Sequence, residues 1–241
     1  MIIYTPQPIL AHINGITLYT WGFVVMLAAI ISSFLFAQKA KEFIPKNKIY
    51  PLLFYALLGG LFGARIIHVI LNLRQFIGNP LSIFNFGDGG MISYGAIFFG
   101  LLFAGVYLKK NKINFFKVLN LIAPYLALGF ALGRMGCFLN WCCYGIYSKL
   151  PWAIKVGNDL PRHPTQIYML LINFIIFFIL IRVNNSKKEI KSKNTFVLFL
   201  ILYSLSRFFI SFIKENDLIT PLIFGIICGI SLIFYFIQKL K

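Results

Sequence analysis

Seven apolar stretches dominate the chain, at about 16–38, 50–72, 92–108, 117–140, 165–182, 194–213 and 219–238. A bilayer core about 30 Å thick is crossed by about 20 such residues in a helix. Composition agrees with that reading. Of 241 residues, 59% are hydrophobic and 12% charged, and the mean hydropathy is +0.83. A typical soluble domain carries about 25% charged residues, so a water-soluble fold is excluded. The expected fold is all-α and polytopic, with about seven transmembrane helices in one integral membrane domain spanning 1–241. No internal repeat, flexible linker or soluble domain interrupts it. The N-terminus lacks a basic leader and a small-residue cleavage site, so no removable signal peptide is expected.

The net charge of +17 is not a nucleic-acid footprint, because the excess sits in short loops between the apolar runs. Lys39, Lys41, Lys46 and Lys48 lie in one loop and Lys109, Lys110, Lys112 and Lys117 in another. Arg182, Lys187, Lys188, Lys191 and Lys193 fill a third, and Lys239 and Lys241 end the chain. These alternate segments hold fifteen basic residues, and the intervening ones hold five: Arg74, Lys149, Lys155, Arg162 and Lys214. Basic residues concentrate on the cytoplasmic side of a membrane. The N-terminus is therefore expected outside and the C-terminus in the cytoplasm. The two long connections, 73–91 and 141–164, then face outward, where the chemistry is expected.

Arg65, Arg134 and Arg207 remain, each inside an apolar run and toward its outer end. A charge at that depth costs about 2.5–3.5 kcal/mol on insertion scales. A single such arginine snorkels to the headgroups. Three at matching depth, with polar neighbours at helical spacing, suggest a shared pocket instead. Arg65, His68 and Asn72 share one face; Tyr203, Arg207, Ser211 and Lys214 share another; Arg134 and Cys137 share a third that continues to Trp141. No Asp or Glu lies inside an apolar run. Cationic stripes without carboxylates suit an anion that arrives within the membrane, such as a phospholipid phosphate. Gly59 with Gly63, and Gly129 with Gly133, have the four-residue spacing that lets helix backbones approach.

Cys137, Cys142 and Cys143 cluster in sequence, in a spacing that matches no zinc pattern, and no metal or cofactor is expected. Three readings stand for them: small packing residues, a disulfide on an oxidising face, or a reactive thiol. Cys228 reads as packing, and His12 has no evident role.

The segment Gly133-Arg134-Met135-Gly136-Cys137-Phe138-Leu139-Asn140, ending at Tyr144-Gly145, resembles the signature of the prolipoprotein diacylglyceryl transferases. Arg162-His163-Pro164-Thr165-Gln166-Ile167-Tyr168 resembles a second motif of that family. Gly63-Ala64-Arg65, Asp88-Gly89-Gly90-Met91 and the Tyr203–Arg207 segment match in order and spacing. The likeness runs from about residue 16 to 214. It implies a seven-helix enzyme of the bacterial cytoplasmic (inner) membrane with its active site facing outside. Such an enzyme moves the diacylglyceryl group of phosphatidylglycerol onto the lipobox cysteine of an exported prolipoprotein, releasing glycerol phosphate. The resemblance implies Arg134 and Arg207 as headgroup-binding and catalytic positions. It implies Asn140, Gly145 and Tyr203 as shaping the site, and Arg162, His163 and Gln166 as its outer edge. Arg65 and His68 join the substrate-binding set.

The chain departs from the family pattern at five places. Tyr94 stands where the family has a His, Cys137 where it has an Asn, Cys142 where it has a Glu, Ser211 where it has a carboxylate, and Trp21 where it has a Tyr. Tyr94 as general base needs a strongly lowered pKa, since a free phenol titrates near 10; His68 and His163 are alternative bases. Two other readings are a paralogous phospholipid-dependent transferase with a different acceptor, and an anion transporter, whose cationic lining is similar. A third is an assembly protein whose arginines meet a partner's acids. The transporter reading requires access from both faces. Impermeant thiol reagents are expected to reach the 137–143 cysteines only from outside; labelling from the cytoplasmic side would favour transport.

Overall fold

The computed structural model describes residues 2–13, 16–84, 90–185, 194–214 and 219–240. All seven apolar runs are helical: α1 (Thr20–Ala40), α2 (Lys46–Leu71), α4 (Ser93–Lys110), α5 (Phe115–Leu139), α6 (Thr165–Asn185), α7 (Thr195–Ser211) and α8 (Ile219–Leu240). A one-turn helix α3 (Leu73–Phe76) and a 3-10 turn at Pro80–Phe84 occupy the first long connection. Five helices are long and apolar enough to cross a membrane: α1, α2, α5, α6 and α8. α4 and α7, at 18 and 17 residues, are not among those five. Lys187, Lys188, Lys191 and Lys193 of the basic connection, Lys241, and Asp88-Gly89 of the expected motif lie outside the described residues.

The helices turn large apolar side chains outward, and several polar ones are buried within the apolar core. Phe34, Phe54, Phe98 and Phe178 are each more than half exposed, whereas Asn173, Thr195, Ser204 and Gln166 are buried. Hydrocarbon solvates the first group, and internal hydrogen bonds must satisfy the second. Asn173 Nδ2 donates to the Met169 carbonyl at 2.6 Å, one turn back on its own helix. Pro124 lies inside α5 and has no N–H for the Asn120 carbonyl four residues earlier. That carbonyl accepts from Asn184 Nδ2 of α6 at 3.1 Å instead. Asn184 Oδ1 in turn accepts from the Thr195 hydroxyl at the start of α7, at 2.7 Å.

The chain divides into two compact units. In the unit formed by Ala37–Val118, α2 and α4 meet through glycines. A Cβ on Gly59 would lie 2.7 Å from the Phe99 carbonyl, and one on Gly63 would lie 2.5 Å from the Gly95 carbonyl. The small-residue spacing on α2 thus marks a close backbone approach. Gly129 and Gly133 behave differently from each other. A Cβ on Gly129 would lie 3.2 Å from Ser32 Oγ of α1, a tight contact, whereas one on Gly133 would meet nothing within 4 Å.

The other unit comprises Met1–Phe36 and Leu119–Lys241. Its core is Ala123, Ala127, Ile176, Leu180 and Phe199, from α5, α6 and α7. α8 lies beside α7, where the Phe224 and Tyr203 rings meet edge-on at 6.0 Å. Two small sheets were not expected from the all-α reading. Strand β1 (Ile2–Tyr4) pairs in parallel with β4 (Ile154–Val156), inside the 141–164 connection. Strands β2 (Ile9–Ile13) and β3 (Ile16–Tyr19) form an antiparallel hairpin with an irregularity between Ile9 and Ala11. The first apolar run therefore opens as a strand, and α1 starts at Thr20, whose N–H donates to the Pro8 carbonyl at 3.0 Å. The physical reason is that Ile16–Tyr19 has a ready partner strand, which composition alone does not reveal.

Adding even one methyl at Gly63 forces α2 and α4 apart, and overpacking of this kind costs about 1–3 kcal/mol. Gly63→Ala is expected to lower the thermal midpoint of the detergent-solubilised protein, while Gly133→Ala, with open space around it, leaves the midpoint unchanged.

Candidate active site

Helices α5 and α7 run side by side in the same direction, and their register is fixed at three heights. At one end the Phe196 N–H donates to Asn120 Oδ1 at 2.9 Å. In the middle, the rings of Phe130 and Tyr203 lie 5.2 Å apart. Beyond the far end, the Ile146 N–H donates to the Ile213 carbonyl at 2.8 Å. Arg134 and Arg207 each lie four residues past the middle pair, one turn further along their own helices. The two arginines therefore stand at one height along the α5–α7 pair. Both are half-buried. Among the described residues nothing hydrogen-bonds the Arg134 guanidinium. Arg207 Nε is buried and has no partner among the described residues, and its guanidinium lies 5.1 Å above the Phe224 ring. Tyr203 stacks on Phe199 at 5.7 Å, which fixes the ring one turn before Arg207. Ser211, expected to continue that polar face, is buried and donates to its own helix at the Phe208 carbonyl, 2.6 Å away.

α5 ends at Leu139, and the signature continues as a tight loop. Trp141 and Cys143 adopt left-handed backbone conformations, with φ of 48° and 62°. Non-glycine residues rarely do so unless the surroundings hold them there. Here α6 does the holding. Gln166 Nε2 donates to the Cys142 carbonyl at 2.7 Å, and the Thr165 hydroxyl donates to the Cys143 carbonyl. The Cys142 N–H donates back to the Cys137 carbonyl at 3.0 Å. Gly145 then passes so close to the segment after α7 that a Cβ would stand 2.5 Å from the Ile213 carbonyl and 2.8 Å from His163 Cβ. Asn140 is half-buried on the same loop, its N–H donating to the Gly136 carbonyl at 3.0 Å. Trp21, near the start of α1, is half-buried, and a Cβ on Gly136 would lie 3.3 Å from its carbonyl.

The loop geometry gathers Cys137, Cys142 and Cys143, whose sulfurs all lie within 4.8 Å of one another. All three are free thiols. Hydrogen bonds from the Cys137 and Cys142 thiols lower the pKa of Cys143, and the charges of Lys214 and Arg134 act in the same direction. Cys142 is pushed up, because in this arrangement its thiol is a donor to the other two.

The rim of the loop is aromatic. Tyr4 stacks on Phe138 at 4.7 Å and approaches Trp141 at 5.7 Å, and Trp141 stacks on Tyr144 at 5.5 Å. The Arg162 guanidinium lies 5.0 Å above the Tyr144 ring, and its Nε pairs with Asp159 Oδ2 at 3.0 Å. That bond holds the Asp159 carboxyl below the usual carboxylate range. His163 Nδ1 lies 3.2 Å from the Tyr168 hydroxyl, which also accepts from Trp152 Nε1 at 2.8 Å. Sequence reasoning passed over Tyr4, Thr165 and Tyr168 as working residues. Thr165 and Tyr168 carried a signal, as members of the second motif; Tyr4 carried none.

Arg65, His68 and Tyr94 belong to the Ala37–Val118 unit. Arg65 is buried, and its donors are engaged by main-chain carbonyls: Nε by Ile83 at 2.8 Å, Nη2 by Ser82 at 2.6 Å and Nη1 by Gly90 at 3.2 Å. Its guanidinium also covers the Phe76 ring at 5.4 Å. Gly90 has a φ of 70°, and a side chain there would strike the His68 imidazole. Asn72 Nδ2 donates to the His68 carbonyl at 2.9 Å and lies 3.3 Å from His68 Nδ1. The expected polar stripe on α2 exists, and it binds the 82–90 connection to its own helix. Tyr94, the expected base, is 65% exposed on the first turn of α4. Among the described residues nothing hydrogen-bonds its hydroxyl.

Removing the donor in Gln166→Leu leaves the half-buried Cys142 carbonyl without that bond, at a cost of up to about 1–3 kcal/mol. The variant is expected to lose thermal stability and to alkylate faster at Cys142 and Cys143 than the parent, read by peptide mass mapping of the reduced protein. Unchanged alkylation would mean that α6 does not hold the loop.

The family model of prolipoprotein diacylglyceryl transferase matches residues 8–239. A phosphatidylglycerol–prolipoprotein diacylglyceryl transferase of Clostridium tetani is 31% identical over 217 residues, 87% of this chain and 86% of that protein. One of Clostridium botulinum is 31% identical over 98% of this chain and 99% of its own length. One of Finegoldia magna is 33% identical over 86% of this chain and 83% of its own. With the signature loop, the second motif and this breadth of match together, the chain belongs to the prolipoprotein diacylglyceryl transferase family.

Proposed function

We propose that this chain is an enzyme that transfers the diacylglyceryl group of phosphatidylglycerol to the lipobox cysteine of a prolipoprotein, with residues 1–241 acting as one integral membrane transferase. The cysteine sulfur attacks the glyceryl carbon, a C–S bond forms, and the C–O bond to phosphate breaks. Glycerol phosphate leaves with the electron pair. The observation that carries this reading is the pair Arg134 and Arg207. They are two half-buried guanidiniums at one height on parallel helices, one of them with a buried Nε that meets no partner among the described residues. Such donors suit a phosphate whose charge grows as the bond breaks, where preorganised hydrogen bonds are worth most. Asn140, Gly145 and Tyr203 shape the site around them. Arg162, His163 and Gln166 hold its edge, and Trp21 closes the start of α1. Within the Ala37–Val118 unit, Arg65 binds the carbonyls of Ser82, Ile83 and Gly90.

The substrate thiol must also lose its proton. His163 fits that task better than Tyr94. It belongs to the same unit as the two arginines, and the hydroxyl of Tyr168 beside its Nδ1 orients the ring.

The protein is a multi-pass protein of the bacterial inner membrane, and hydrogen-bonded pairings support seven crossings. β1 pairs with β4, so the N-terminal strand and the 141–164 connection share one side. An even number of crossings must separate them. α1, α2 and α5 alone would make three, so α4 crosses as well. Ile146 and Ile213 are also bonded, which requires an even number between them: α6 and therefore α7. With α8 the total is seven, and the termini lie on opposite sides. The excess of basic residues in alternate loops supports an N-terminus and active site outside and a C-terminus in the cytoplasm.

Purified protein in phosphatidylglycerol liposomes, given a lipobox peptide, is expected to yield a diacylglyceryl-peptide adduct by mass spectrometry and free glycerol phosphate. Arg134→Ala and Arg207→Ala are each expected to lower the rate about 10²–10³-fold, with Cys228→Ser as a control that stays active. Lipid cleavage without a peptide adduct would indicate another acceptor. Undiminished transfer in both arginine variants would overturn the reading.

A further inference from the structure

The convergence of three thiols is not used by the transfer chemistry, in which the reacting sulfur belongs to the substrate. We propose that Cys137, Cys142 and Cys143 form a binding site for a soft, thiophilic metal cation at the outer end of α5. The geometry is close to that of a three-sulfur cage. Metal–sulfur bonds of about 2.3 Å put neighbouring ligand sulfurs about 3.8–4.0 Å apart in tetrahedral or trigonal arrangement. The three sulfurs here already lie within 4.8 Å of one another, so small rotamer adjustments complete the cage.

The loop is also built to hold them. Cys143 and its neighbour-but-one Trp141 are kept in left-handed conformations, and α6 ties down the carbonyls of both loop cysteines through Gln166 and Thr165. This outer support is of the kind that fixes ligand direction in metal sites. Trp141, in its unusual conformation, turns the chain so that a cysteine at the end of a helix meets two on the loop after it.

Charge favours the same occupant. Each ligating sulfur releases its proton to solvent, so a divalent ion on three thiolates carries one net negative charge. Arg134 and Lys214 lie near enough to act electrostatically on Cys143, and Arg134 on Cys137. Among the described residues no His, Asp or Glu joins the three sulfurs. The ligand set is therefore all sulfur with an open position, which selects soft d10 ions over magnesium or calcium. The sequence concealed the site because its cysteine spacing follows no zinc pattern; the αL turn at Trp141 brings the sulfurs together.

The test is a Cd²⁺ titration of the full chain, reduced and in detergent, read by the ultraviolet sulfur-to-cadmium charge-transfer band. One equivalent is expected to saturate the band, Zn²⁺ to compete and Mg²⁺ not to. Bound Cd²⁺ is expected to protect Cys137, Cys142 and Cys143, but not Cys228, from alkylation in the unmutated protein, which avoids reliance on variants that fail to fold. Cys143→Ser is expected to lose the band and Cys228→Ser to keep it. No band in the fully reduced protein, or protection that spares the cluster, overturns the proposal. None of these readouts depends on transferase activity, so a silent transfer assay and an empty metal site are separate results.

Discussion

The structure of the larger unit depends on the register between α5 and α7. Both helices are single apolar rods that could slide past one another at little cost, because hydrocarbon does not favour one greasy surface over another. Polar groups set the register instead. At one end Pro124 frees the Asn120 carbonyl for Asn184, and the Asn120 side chain caps the start of α7. Beyond the other end the signature loop is sewn to the segment after α7 at Ile146 and Ile213. A one-residue slip would break both ends at once, leaving unpaired backbone groups in a medium where each costs several kcal/mol. Arg134 and Arg207 inherit their common height from this lock.

The same accounting separates the three intramembrane arginines, which look alike in sequence. Arg65 spends its donors on the carbonyls of Ser82, Ile83 and Gly90, so its charge is engaged by the main chain. Arg207 leaves a buried Nε unmatched, and Arg134 has no hydrogen-bond partner among the described residues. In a low-dielectric setting an unmatched guanidinium is expensive, and the proposed role of this pair is to meet a phosphate oxygen. The cost of keeping such a site before substrate arrives is the kind of local strain that a catalytic pocket tolerates. Asp159, one of the few acids described, is already paired with Arg162 and does not relieve it.

Much of this was legible in the sequence, and the rest was hidden for identifiable reasons. The seven helices follow from run length, and the α2–α4 approach follows from Gly59 and Gly63. Local patterns of this kind survive into the fold because their causes are local. The pairing of Ile2–Tyr4 with Ile154–Val156 joins residues about 150 positions apart, and no periodicity in either short strand points to the other. Gly133 matched the small-residue spacing and packs against nothing, since spacing marks opportunity and not contact. The different fates of Arg65 and Arg207 were equally hidden, because the carbonyls that satisfy Arg65 belong to a connection with no pattern of its own.

The departures in the signature take on a common meaning in this setting. Where the family carries an amide and an acid, Cys137 and Cys142 stand, and both point into one sulfur cluster beside Arg134. A carboxylate at such a place would hold the arginine by a charge-assisted bond, fixing it but also neutralising it. Thiols are weaker partners and leave the guanidinium without such a bond. The loop that carries Cys142 and Cys143 is itself held through its backbone, by the left-handed turns at Trp141 and Cys143 and by the α6 side chains that bind its carbonyls.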